Sequence, residues 1–139
     1  MASEETDRIL NEIGQLLAED TSYPLDGTLL YAQVEAGMVS IAIFKNRDNS
    51  IVYRWPDLDH LGDALFDLWY AEEPENRWAE LEYLVRGDRF DVRYVYANEI
   101  DLEESHFDHR DKIVERYFGD KPIVYPPLSE ADNGPIYDL

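Results

Sequence analysis

Residues 78–96, WAELEYLVRGDRFDVRYVY, decide the fold of this 139-residue chain, because one hydrophobic period gives way to another around a single glycine. Trp78, Leu81 and Val85 recur three or four residues apart, which is the spacing of one helix face. The second half alternates as a strand does, with apolar or aromatic residues at every second position: Phe90, Val92, Tyr94 and Tyr96.

Gly87 stands where the two periods meet. A glycine readily adopts the left-handed conformation that ends a helix. The stretch therefore predicts a helix over residues 75–86, a stop at Gly87 and a strand over residues 90–96 that extends a sheet.

The composition favours one packed domain. Hydrophobic residues make up 45% of the chain and aromatic residues 13%, which is more than a disordered chain carries. A chain of this length buries about two thirds of its unfolded surface around one core. The sequence predicts an α+β fold in which helices pack against an antiparallel sheet of about four or more strands.

The charge is strongly one-sided. The chain has 31 Asp and Glu against 12 Lys and Arg, a formal net charge of -19. Such a surface repels nucleic acid and anionic membranes. We therefore expect no direct nucleic-acid partner and no membrane attachment.

Three further features suit a cytoplasmic protein. The chain contains no cysteine, which is common where thiols are kept reduced. Its first residues, MASEETDRILNEI, are acidic where a signal peptide is basic, and no apolar run reaches membrane-spanning length. We expect a cytoplasmic location.

The first half of the chain predicts a helix and a three-stranded meander. The helix ends near Asp20 and carries one apolar stripe, formed by Ile9, Leu10, Ile13, Leu16 and Leu17. Strand-forming runs follow at residues 29–36, 38–44 and 51–55, separated by turns. A sheet of this kind needs helices over one face, and we expect the first and third predicted helices to supply them.

The second half predicts two more helices and an arm. Leu58, Leu61, Leu65, Leu68 and Trp69 define a helix that Asp57 caps. Residues 98–108 are acidic and aperiodic, as in a loop, and residues 109–118 form a short helix that ends at Gly119. Four of the seven prolines follow, which is typical of an extended arm. We assign the domain to residues 1–127 and an extended acidic tail to residues 128–139.

The second predicted helix carries acidic residues that repel one another and so destabilise the helix. Residues 55–76 contain seven acids and neither Lys nor Arg. Asp59, Asp63 and Asp67 fall nearly opposite the leucine stripe, and like charges four residues apart cost roughly 0.2–0.5 kcal/mol per pair. Two interpretations stay open: a solvated face, or a docking surface for a basic partner. The candidate partner-binding residues are Asp59, Asp63, Asp67, Glu72, Glu73 and Glu75.

A second acidic block lies in the predicted loop and includes Glu103 and Glu104. Taken alone, it is typical of a flexible charged loop. Together with the first block it is similar to the spaced negative charge of proteins that occupy nucleic-acid sites on their targets. One alternative function is therefore a DNA mimic or regulatory module that binds a host DNA-binding protein.

His106 and His109 supply the only pattern with a metal-ligand spacing. A catalytic zinc site also needs a third ligand and a general base, and no HExxH motif is present. Capping and surface roles at the start of the last helix explain the pair better, so a metal-dependent hydrolase ranks last among the alternatives. The sequence predicts no metal, no cofactor and no catalytic residue, because the common nucleotide-binding and hydrolase motifs are also absent.

Several segments together resemble the YezG-like immunity proteins. They are the hairpin LLYAQVEAGMVSIAIF at residues 29–44, IVYRW at 51–55, RWAELEYLVRGDRFDVRYVYANE at 77–99 and RYFGDKPIVYPP at 116–127. The likeness covers roughly residues 9–127 and consists of apolar spacing, a W-x-x-L-E helix and an F-x-V-x-Y-x-Y strand. The acidic second helix and the chain after Pro127 depart from the family pattern.

The resemblance implies an α+β fold, no enzymatic activity and a protein partner. Members of this family are antitoxins that neutralise toxin domains, often nucleases, of bacterial polymorphic toxins. A toxin that acts on nucleic acid or nucleotides is usually basic at its cleft, because it must attract phosphates. The hypothesis from the sequence is an immunity protein that binds a cognate basic toxin domain through its acidic patch.

Overall fold

The computed structural model describes residues 4–101 and 103–125. This part of the chain forms three helices, two short 3-10 turns and one six-stranded sheet. The helices are α1 (Glu4–Ala18), α2 (Leu58–Tyr70) and α3 (His106–Phe118). The strands are β1 (Thr28–Glu35), β2 (Met38–Asn46), β3 (Ile51–Arg54), β4 (Glu80–Arg86), β5 (Arg89–Val95) and β6 (Ile123–Val124). The predicted α+β class is confirmed.

The sheet has the strand order β5-β4-β1-β2-β3-β6. The predicted meander is confirmed, since β2 pairs antiparallel with β1 and with β3. The chain then crosses back through α2 to place β4 beside β1 and β5 beside β4, both antiparallel. Among the strands of the described residues, only β6 runs parallel to its neighbour, β3. The strand predicted at residues 90–96 is β5, and it forms one edge of the sheet.

The helix predicted over residues 75–86 is wrong. Pro74–Asn76 is a 3-10 turn, and Glu80–Arg86 is strand β4, with every residue from Glu80 to Val85 buried. The cause is burial on both faces of an interior strand. Leu81, Tyr83 and Val85 contact the core on one face, whereas Leu84 contacts the core on the other. Apolar residues therefore occupy both parities, and the mixture imitates a helical period.

Gly87 takes the predicted positive φ, +61°, but it ends a strand and not a helix. Arg86 pairs with Arg89, so Gly87 and Asp88 form a two-residue hairpin turn between β4 and β5. The Gly87 N–H donates to Asp26 Oδ1 at 2.7 Å, which ties this turn to the loop before β1.

The first face of the sheet is covered by α1 and α2. Their inward residues join the side chains of the strands in one apolar core. Its fully buried members include Ile13 on α1, Leu65 on α2 and Leu81 on β4. The prediction that the first helix covers the sheet is confirmed, but its companion is α2.

The second face is covered by α3. Ile113 and Val114 are buried against Tyr31, Phe44 and neighbouring side chains of the sheet. The helix begins at His106, three residues before the predicted start, with Ser105 as its N-cap, and ends at Gly119 as expected. The sheet is thus covered on both faces, whereas the sequence predicted cover on one.

The predicted C-terminal arm begins as part of the sheet. Ile123 and Val124 lie beside Ile51 and Val52 of β3, and the Ile51 N–H donates to the Pro122 carbonyl at 2.9 Å. The tail predicted over residues 128–139 lies outside the described residues.

Candidate partner-binding surface

The start of α2 is fixed by its cap. The Asp57 carboxylate accepts the His60 N–H at 3.2 Å, as the sequence predicted, and its other oxygen lies 2.7 Å from His60 Nδ1. From this start, Leu61, Leu65 and Leu68 turn toward the core.

The three aspartates of α2 therefore face solvent. Asp59, Asp63 and Asp67 are exposed, and the chain continues the series with Glu72, which is half-buried, and with Glu73 and Glu75, which are exposed. None of these six carboxylates forms a hydrogen bond or ion pair with another described side chain. Successive helical aspartates stand about 6 Å apart along the axis, from the rise of about 1.5 Å per residue.

Helix α1 enlarges this acidic face. It packs beside α2 and exposes acids along its length, whose only neighbouring cation in α1 is Arg8, 3.9 Å from Glu5 and 3.7 Å from Glu12. The exposed acids of this segment are Glu4, Glu5, Asp7, Glu12 and Glu19. We call these five residues, together with the six of α2 and its following turn, the acidic helical surface.

Carboxylates from the α1 and α2 segments act together on two titratable groups. The hydrogen bond to Asp57 raises the pKa of His60, and the nearby Glu19 carboxylate at the end of α1 adds to the effect. At the opposite end, burial raises the pKa of Tyr94, and the carboxylates of Glu72 and Asp7 raise it further. Sequence reasoning missed the α1 acids as part of the site, because which helices become neighbours is decided by the sheet.

Apolar groups flank the acids. Leu58 at the start of α2 is 58% exposed, and Tyr70 at its end is 53% exposed. The Arg77 guanidinium lies over the rings of Trp69 and Tyr70, 4.7 and 4.9 Å from their centroids. Aromatic and arginine side chains are the commonest energetic anchors of protein interfaces.

Glu103 and Glu104 are not part of this surface. They precede α3, on the other side of the sheet. Glu104 is held within the fold: its side chain is only 13% exposed, contacts Lys112 and lies 3.1 Å from His109 Nδ1. Glu103 is exposed, and its N–H donates to Asp101 Oδ1 at 2.9 Å.

His109 belongs to a buried polar layer between α3 and the sheet. Its Nε2 lies 2.8 Å from Oε1 of Glu80, a strand residue that is 1% exposed. Glu80 Oε2 also accepts from Tyr31 Oη at 2.7 Å and from Gln33 Nε2 at 2.9 Å. Burial opposes ionisation of Glu80, yet the hydrogen bonds from His109, Gln33 and Tyr31 outweigh it and lower its pKa. Burial opposes the charge on His109 too, but its carboxylate partners raise its pKa above the ordinary range.

Glu82, two residues along β4, forms the rest of this layer. It is 2% exposed and receives hydrogen bonds from Arg116 and, at 2.6 Å, from Tyr117 Oη. Burial and the neighbouring carboxylate raise the pKa of Tyr117 to about 12. Each buried carboxylate of this layer is thus paired with a cationic side chain or a hydrogen-bond donor within the layer, as in a structural network.

The histidine pair does not converge on one point. Both ring nitrogens of His109 are engaged by carboxylates, whereas His106 is exposed and contacts the Phe107 ring. Across residues 4–101 and 103–125, no group of three or more His, Asp or Glu side chains is arranged to hold a metal ion. In the same residues, no helix has both the length and the apolar content to cross a membrane.

Comparison with known proteins adds no relative to these observations. No protein-family model matches the sequence, and no curated protein matches it significantly.

Proposed function

We propose that this chain is a cytoplasmic immunity protein that binds a cognate basic toxin domain through the acidic helical surface. The observation that carries the proposal is the row of carboxylates on α2, which form no hydrogen bond or ion pair with any of the described side chains. The resemblance to YezG-like immunity proteins supports the same class of function. A nuclease or another toxin that acts on nucleic acid or nucleotides fits best, because its cleft must attract phosphates.

The geometry suits fast and selective capture. Acids concentrated on one surface steer a basic partner into contact and reject acidic ones, and such steering raises association rates by about 100-fold or more at low salt. Leu58 and Tyr70 at the two ends of α2 then offer apolar area that excludes water from the contact. No catalytic group is required for neutralisation of this kind.

The functional test is rescue of growth. If the gene immediately upstream encodes a large protein, its C-terminal domain is the candidate toxin, and it is expressed in a bacterial host with and without this chain. We expect the domain alone to arrest growth and co-expression to restore it. Arrest that persists despite soluble, folded protein would contradict the proposal.

The surface is tested by charge reversal. The triple variant D59K/D63K/D67K raises the net charge by six and should slow association with the toxin domain on the order of 100-fold at low salt, with a shallower salt dependence. Its matched control is D111K/E115K/D120K, which makes the same change at exposed acids in and just after α3.

The two variants separate local from general electrostatics. Equal slowing by both would show that total charge, and not the acidic helical surface, governs association. Purification of a housekeeping DNA-binding protein with this chain, and of no toxin, would instead favour the DNA-mimic alternative.

A further inference from the structure

Strand β5 leaves one edge of the sheet unpaired by the described residues. It follows β4 through a two-residue turn, which makes Arg86 and Arg89 a hydrogen-bonded pair. Hydrogen-bonded and non-bonded pairs then alternate along the hairpin. Consequently Phe90, Val92 and Tyr94 direct their backbone N–H and C=O groups away from β4, toward the open side.

The charge of this hairpin differs from that of the rest of the chain. Residues 86–95 contain three arginines and two aspartates, a formal charge of +1, whereas the whole chain carries -19. A second copy of the chain is repelled by the acidic helical surface but not by this edge. The edge therefore opposes self-association less than the acidic helical surface does.

We propose that β5 pairs antiparallel with β5 of a second copy, with Val92 opposite Val92 about a twofold axis. In this register the outward backbone groups of Phe90, Val92 and Tyr94 are all satisfied by the second copy. The two sheets join into one of twelve strands.

Side-chain charge favours this register over a shift of one residue in either direction. With Val92 at the centre, Asp91 lies opposite Arg93 of the second copy, and the pair occurs twice by symmetry. Moving the centre by one residue places Asp91 opposite Asp91, or Arg93 opposite Arg93. Like charges directly opposite each other destabilise a sheet, whereas opposite charges stabilise it.

The other face of the strand fits the same register. Phe90, Val92 and Tyr94 are half-buried and contact the core beneath α1, leaving part of each side chain exposed. The pairing brings Phe90 against Tyr94 of the second copy and Val92 against Val92. Aromatic and β-branched cross-strand pairs of this kind are favourable.

The first test is sedimentation velocity of the full chain over a range of protein and salt concentrations. We expect a monomer–dimer equilibrium that shifts toward dimer as salt increases, because the self-repulsion of two highly acidic chains is screened over about 10 Å at 0.1 M salt and 3 Å at 1 M. A toxin complex held by charge should respond to salt in the opposite direction. A monomer at every condition overturns the proposal.

Two variants test the edge itself. V92P removes the central N–H donor without removing a bond to β4, so it should abolish the dimer while the monomer stays folded by circular dichroism. D91R places like charges opposite each other and should weaken the dimer about tenfold, whereas D91R/R93D restores opposite signs and should recover it. A dimer that survives V92P uses another surface and refutes the assignment.

The register is tested by crosslinking, which the absence of cysteine makes clean. Hydrogen-bonded partners have Cα atoms about 5.5 Å apart, within disulfide reach, so V92C should form a linked dimer on oxidation. D91C should not, since the two Cα atoms would stand more than about 7 Å apart. Faster linkage of D91C than of V92C would assign a different register and overturn the one proposed.

Discussion

The two faces of the sheet use their acidic residues in different ways. On the α3 face, Glu80, Glu82 and Glu104 point into the fold and are matched by His109, Arg116, Lys112 and tyrosine hydroxyls. On the α1 and α2 face, the contact with the sheet is mainly apolar, and the acids of the two helices point outward. The exception is Asp20, just after α1, which pairs with Lys45 and Arg54 of the sheet. The difference separates carboxylates that stabilise the structure from carboxylates that are free to meet a partner.

The two faces also differ in the contacts that stabilise their helices. Five residues of α2 are buried, whereas α3 buries only Ile113 and Val114. A helix with little apolar burial depends more on its polar contacts, and such contacts respond to pH.

The largest effect is expected in the apolar contact. Leu65 of α2 is fully buried, so L65A should lower the free energy of unfolding by about 3 kcal/mol, from lost burial and the cavity that remains. Urea denaturation measures the change. L58A, which truncates an exposed leucine of the same helix, should change it by no more than about 0.5 kcal/mol.

Arg116 tests the polar contact. R116M leaves the Glu82 carboxylate buried with Tyr117 alone and should destabilise the protein by about 2 kcal/mol, less than for a fully buried pair because Arg116 is half-exposed. The control is R86M, which removes an exposed pair with Asp91 and should cost under about 1 kcal/mol. Equal effects on urea denaturation would mean that the polar layer is no stronger than a surface pair.

The pH dependence follows from His109 and Glu80. The folded state raises the pKa of His109, so its stabilisation is complete below the ordinary value of 6.5 and is lost as pH rises through the folded pKa. The pKa of Glu80 is lowered, so its stabilisation is complete above the ordinary value of 4.5 and is lost as pH falls through the folded pKa. The α3 contact should therefore be strongest between about pH 4.5 and 6.5.

The variant H109Q checks this assignment. It should be less stable than the natural protein near pH 6, and the difference should shrink as pH rises through the folded pKa of His109. Only the difference between the two proteins is informative, since protonation of surface acids below pH 5 relieves self-repulsion in both. H106Q, which removes the exposed histidine at the start of the same helix, serves as the control. A constant difference across this range would show that His109 does not titrate as proposed.

The smallest effect is a gain in stability on α2. D63N removes like-charge contacts with Asp59 and Asp67, each roughly 0.2–0.5 kcal/mol, without changing helix propensity. We expect the unfolding free energy to rise by about 0.5 kcal/mol while association with the toxin domain slows. If both quantities fall, the carboxylate has a structural role after all.

Most elements could be predicted because local signals and burial agree. Helices α1 and α2 each bury one apolar stripe, and β5 alternates exposed and half-buried residues from Arg89 to Tyr94. The failure at β4 has a specific cause. Apolar residues occupy both faces of this strand, and acidic residues are seldom buried. The burial of Glu80 and Glu82 depends on His109 and Arg116, which lie 29 and 34 residues later in the chain.

The candidate partner-binding residues also differ in whether the sequence alone could predict their placement. The exposure of Asp59, Asp63 and Asp67 follows from the helical period of their own segment, which the sequence contains. The engagement of Glu104 by His109 and Lys112 depends on how a loop meets the next helix, and no local pattern encodes it. The binding role of the acidic residues stays a prediction that the association experiments decide.

The short strand β6 limits how far the sheet can be extended by pairing with further copies of the chain. It is two residues long and follows Pro122, which has no N–H, so this end of the sheet offers almost no template for another chain. Among the described residues, only β5 offers an open edge longer than two residues, and antiparallel pairing with a second copy occupies that edge in both molecules. An assembly built this way is closed at two subunits and cannot propagate into a fibre.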